Sequence, residues 1–158
     1  MNAHVYRLPD EPLPSGLAKY VVAPMWPLFA VMLGGSIYGL AWFLFNGAAL
    51  GAQSRARDWA LAALAIVGSL VLLLAMAYAK AQGWLPGAGV AYAMLSVIVL
   101  KMACAYALFV RQSATFEIWE HYGGTPANGA IVLVPLAVFG GKLLNAAPLP
   151  ALLLTALR

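Results

Sequence analysis

The chain has 158 residues, of which 64% are hydrophobic and 9% charged, with a formal net charge of +4. A soluble domain carries about 25% charged residues, so water as the surrounding solvent would leave large apolar patches uncovered. The nine lysines and arginines form no run or stripe, which excludes a nucleic-acid footprint and leaves them as topology signals and lipid-headgroup contacts.

Residues 1–23 read as an extended N-terminal arm. Pro9, Pro12 and Pro14 rule out a regular helix there. The polar stretch and the apolar run after it are both too long for a signal peptide, so an uncleaved first span is expected. Between Lys19 and Arg55 no residue is charged. A span needs about 20 apolar residues, and Pro24 and Pro27 suit the first turn of a helix. The first span is therefore expected over about 27–45, with Trp26 at the headgroup level and Asn46 and Gly47 at its exit.

Ser54 to Asp58 forms a short charged loop. A second span is expected over 59–79, closed by Lys80, and a third over 90–110, interrupted by Lys101 and closed by Arg111. Arg111 to Gly129 is a long polar segment whose first half has helical spacing, with Phe116 and Trp119 on one side. An amphipathic helix lying on the membrane surface is expected there, stopped by Gly123, Gly124 and Pro126. The fourth span is expected over 130–147, either as one helix or as two half-segments divided at Gly140 and Gly141, with residues 148–158 as a short apolar interfacial tail. The expected fold is thus all-α: a bundle of four transmembrane helices, a proline-rich arm and an interfacial helix between spans three and four. Counting basic residues by side gives five against three, with Lys101 inside a span, which favours cytoplasmic termini.

Gly35 and Gly39 form a small-xxx-small pair, and Asn46 lies seven residues further along the same helix face. Close helix approach and an interhelical hydrogen bond drive association in lipid. The trio therefore marks either a partner-docking groove or close packing within the chain.

The same residues carry a resemblance. Gly34, Gly35 and Gly39, then Asn46, Ala49, Leu50 and Gly51 before a basic loop, resemble the first hairpin of a group of small uncharacterised bacterial polytopic membrane proteins, as does the later "EHYGGTPANG". Ser36 stands where those proteins usually have proline. The resemblance covers about a third of the chain. It implies a bacterial inner-membrane protein of about four helices and no particular activity.

Few polar residues remain. Lys101, about ten residues from each end of its span, faces a bundle interior or snorkels to an interface; its candidate partners are backbone carbonyls or hydroxyls such as those of Ser69 and Tyr106. Glu117, Glu120 and His121, at i, i+3 and i+4, place two carboxylates and an imidazole on one helix face. A metal or proton-relay site would need further ligands, and the only other histidine is His4. Cys104 reads as a small buried apolar residue. No complete catalytic set is present, so neither an enzyme nor any metal or cofactor is expected. The expected function is a non-enzymatic integral membrane protein acting by helix contact, as an accessory, assembly or immunity-type subunit or a homo-oligomer. Its partners would be the bilayer and another membrane protein or a second copy. The alternatives are a small oligomeric transporter with Lys101 lining the path and, behind it, a lipid-modifying enzyme using the Glu117–His121 face.

Overall fold

The computed structural model describes residues 16–52 and 55–158, without the side chain of Ala88. The proline-rich stretch through Pro14 and His4 lie outside the described residues. A 3₁₀ turn, Ala18–Tyr20, leads into six helices: α1 (Met25–Leu33), α2 (Ser36–Ala49), α3 (Arg55–Ala81), α4 (Gly87–His121), α5 (Ala130–Ala146) and α6 (Ala151–Leu157). Among the described residues there is no strand, only a single parallel bridge between Val22 and Ala127.

Two of these helices, α3 and α4, are long and apolar enough to cross a membrane, with mean hydropathies of 2.6 and 2.2 over their best windows. Only 22% and 28% of those windows is buried, whereas the core helix of a soluble protein is mostly buried. The two pack side by side: Leu100 on α4 lies against Gly68 on α3, and Ala62, Ala65, Cys104, Ala105 and Leu108 meet in one buried cluster.

The separate interfacial helix expected after Arg111 does not exist. α4 runs unbroken for 35 residues to His121. A charge does not stop a helix; glycine and proline are the residues that disfavour one most. Neither occurs between Gly89 and Gly123, and the chain turns at Gly123, which has a φ of 90°. At the other end of the pair, α3 starts at Arg55, so most of the expected charged loop is its first turn. Asp58 there suits a helix N-terminus.

The continuous first span expected over 27–45 is instead two helices. The chain breaks at Gly34 and Gly35, and Gly35 adopts φ 117° and ψ 149°, a conformation essentially reserved for glycine. α1 and α2 then fold back on each other. A Cβ on Gly39 would collide with the Val31 backbone on α1, so the missing side chain is what permits the close approach. At 1.5 Å per residue α1 is only about 13 Å long and α2 about 21 Å. α2 ends at Gly51 (φ 71°), where Gly51 N–H donates to the Ala48 carbonyl and Ala52 N–H to that of Gly47. This 5→2, 6→1 pair closes the helix without a polar side chain.

The fourth apolar segment is one helix, α5, with Pro135 inside it. It lies beside α1: Gly129 faces the Trp26 ring, and Gly140 approaches the Gly34 carbonyl. The segment expected as an interfacial tail contains α6, which docks on the bundle. Ala156 is fully buried with Leu73 of α3 and Val97 of α4. Pro148 and Pro150 turn the chain back between α5 and α6, so α6 ascends along the far half of α3 while α2 occupies the near half.

Candidate functional site

Two polar constellations stand out inside this apolar scaffold. The first is where α6 ends and α2 begins. The backbone N–H of Ser36, the first residue of α2, donates to the Arg158 carbonyl at 2.8 Å, and the Ser36 hydroxyl donates to the same oxygen at 2.9 Å. The N-terminus of α2 has no side-chain cap of its own; a carbonyl at the end of another helix takes that place. The positive end of one helix dipole therefore meets the negative end of the other. Seven and fourteen residues long, α6 and α2 together supply about 31 Å of helix along α3, close to the roughly 30 Å of a bilayer's hydrocarbon core.

Lys101 belongs to this junction. It is 8% exposed, and its Nζ donates to the Thr155 carbonyl at 3.0 Å, in the last turn of α6. A cation at a helix C-terminus interacts favourably with the dipole and with carbonyls that lack an intrahelical partner. The Thr155 hydroxyl is bonded to the Ala151 carbonyl at 2.9 Å. Ser69, fully buried one face away on α3, donates to the Ala65 carbonyl in its own helix. Neither Ser69 nor Tyr106, which is 60% exposed, bonds Lys101.

The second constellation lies at the opposite end of α2. Asn46, fully buried, treats the extended segment before α1 as a neighbouring strand. Its Oδ1 accepts from Val22 N–H at 2.9 Å, and its Nδ2 donates to the Val22 carbonyl at 3.1 Å. The remaining Nδ2 hydrogen goes to Gln112 Oε1 at 3.3 Å, and Gln112 Nε2 donates to the Phe43 carbonyl at 2.7 Å. On the other side of the same segment, Ala127 N–H donates to the Val21 carbonyl at 2.7 Å. Val21 packs with Ala49, Leu50 and Phe116, so the carboxy-terminal part of α4 and the loop after it are tied to the start of α1.

Beside this amide cluster, Arg111 Nε donates to Asp58 Oδ1 at 3.2 Å; the Asp58 side chain is 5% exposed and that of Arg111 30%. Gly47 makes room for both groups. A Cβ there would stand 2.9 Å from Gln112 Nε2 and 3.1 Å from Asp58 Oδ2.

The residues singled out from sequence thus fall into three groups. Gly39 and Asn46 face partners in their own chain, and Gly35 makes the turn. Lys101 holds the end of α6 at the helix junction. Glu117, Glu120 and His121 are all exposed on the last turns of α4, and among the described residues no group of three or more His, Cys, Asp or Glu side chains is placed to hold a metal. Cys104 is buried and unpaired. Sequence reasoning missed Ser36, Gln112, Thr155 and the Asp58–Arg111 pair. Gln112 and Asp58 each border an apolar run, but no local spacing links them to a partner more than fifty residues away.

No protein-family model matches the chain, and no curated protein or solved structure matches it either.

Proposed function

We propose that the chain is a multi-pass protein of a bacterial inner membrane that works by contact, as an accessory or assembly subunit or a homo-oligomer, and not by chemistry or flux. In this reading α3, α4, α5 and the α6–α2 column cross the hydrocarbon, with α1 as a half-length helix entering beside them. The observation that carries it is the state of the buried polar groups. Every buried side-chain nitrogen and oxygen among the described residues has a hydrogen-bond partner. Lys101, the residue a transport path would need, holds the end of α6. Groups that stabilise the bundle in this way do not present a hydrophilic path to a solute.

The outward faces carry the contacts. Val67, Val71 and Leu74 on α3 and Ile131, Val134 and Val138 on α5 are all at least half exposed, as lipid-facing or partner-facing residues must be.

Purification from the native host in nanodiscs, followed by mass spectrometry, tests the reading. A stoichiometric second copy or partner is expected. Solute flux in liposomes that Lys101→Met abolishes without unfolding the protein would replace the contact reading with transport. Loss of a cellular phenotype in the Glu117→Ala, His121→Ala double variant would favour an enzyme.

A further inference from the structure

Between α2 and α3 lies a groove of about 630 Å³, within the size range of small-molecule sites. Its walls are Ile37, Leu40 and Leu44 on α2 and Trp59, Ala63 and Ile66 on α3, and Arg55 is the one charged residue at its edge. Three features specify an occupant. The groove runs from Arg55 to Ile66 along α3 and from Ala48 back to Ile37 along α2. Eleven residues of helix rise about 16 Å, and half of a 30 Å hydrocarbon core is about 15 Å, so the groove has the depth of one leaflet. It closes at the level of Ile37, one residue above the Ser36 junction.

Arg55 is exposed and has no acidic partner among the described residues. The nearest carboxylate, Asp58, is engaged by Arg111. Trp59, 63% exposed at the same mouth, suits the membrane–water boundary. An apolar trough one leaflet deep, with a free guanidinium and an indole at its rim, matches a phospholipid of negative charge.

We infer that the α2–α3 groove binds one anionic phospholipid, an acyl chain lying between Leu40, Leu44 and Ala63 and the phosphate accepting hydrogen bonds from Arg55. The inference rests on the membrane reading above. The lipid fills a gap between α2 and α3 that small residues (Ala41, Ala48, Ala62, Ala63) leave along its walls.

Native mass spectrometry of the full chain, released from mixed micelles holding equal phosphatidylglycerol and phosphatidylcholine, tests it. One phosphatidylglycerol should be retained per chain. One basic residue near an anionic headgroup supports a preference of about fivefold, which Arg55→Gln should remove. Arg57→Gln, the same charge change outside the groove, should leave the preference intact. Ala63→Trp, at an exposed groove-wall position, should abolish retention with an unchanged melting temperature. Equal loss of preference in both arginine variants, or retention in Ala63→Trp, overturns the site. A dimer that Ala63→Trp dissociates overturns it too, because a second copy would then fill the groove. Extraction into the supernatant by carbonate washing would instead overturn the membrane reading itself, and is read separately from lipid retention.

Discussion

Asn46→Ala is the most informative single perturbation of this fold. The substitution removes both amide atoms from a fully buried position and cancels three hydrogen bonds, two to Val22 and one to Gln112. Val22 is 4% exposed and Gln112 1%, so water does not replace the lost partner. Polar contacts between membrane helices contribute about 0.6 kcal/mol on average and up to about 1.7, so three should contribute about 2–5 kcal/mol. For a chain of this size 1 kcal/mol corresponds to about 2–4 °C in melting temperature, which gives an expected drop of about 4–20 °C. Cys104 supplies the assay. It is the only cysteine and is 4% exposed, so a thiol-reactive fluorophore lights up only as the bundle opens. Asn46→Asp, which keeps the acceptor for Val22 N–H and loses both donors, should melt at least as low, because it also buries a charge. Gln112→Ala combined with Asn46→Ala should cost less than the two singles together, since they share one bond. A melting temperature within 2 °C of the parent for Asn46→Ala would refute the assignment of this cluster as the clasp between α1, α2 and α4.

Further outcomes follow from the same geometry. Gly35→Ala forces a side chain into a glycine-only conformation and towards Leu144 at 3.2 Å, so it should destabilise the protein by about 1–3 kcal/mol; a parental melting temperature would show that the α1–α2 turn relaxes freely. Lys101→Met removes a charge-assisted bond of about 1.5–3 kcal/mol from the end of α6. In a Cys104→Ser background it should speed maleimide labelling of Ala156→Cys about tenfold or more, and an unchanged rate would dissociate Lys101 from α6 docking. Arg111→Met leaves the Asp58 carboxylate buried without a partner and should cost more than Asp58→Asn, Arg111→Met together, measured as melting temperatures; the opposite order would show that Asp58 is hydrated.

The parts of this fold that were legible in sequence are those set by local composition. Residues 59–79 and 90–110 read as helices because a long apolar run without proline has few other options, and α3 and α4 contain them. The break at Gly34 and Gly35 was not legible. In an apolar run, two glycines are equally compatible with close helix contact and with a turn, and only Gly35's φ distinguishes them. Polar residues after position 110 suggested a surface helix, but helix continuity depends on backbone freedom, not on charge. The candidate site was the least legible of all. Lys101 was visible as an anomaly, yet its partner is a backbone carbonyl fifty-four residues on, and backbone carbonyls have no sequence signature. Asn46 was visible for the same reason, and two of its three bonds are again to main chain.

The meeting of α6 with α2 also orders events in time. The bond between Ser36 and Arg158 spans 122 positions, so translation delivers one half of that column long before the other. Until α6 emerges, the Ser36 N–H lacks its Arg158 acceptor. Contacts over such a distance form slowly, and α1 and α2 are made well before the helix that completes their column. α6 therefore locks in place a helix made 122 positions earlier.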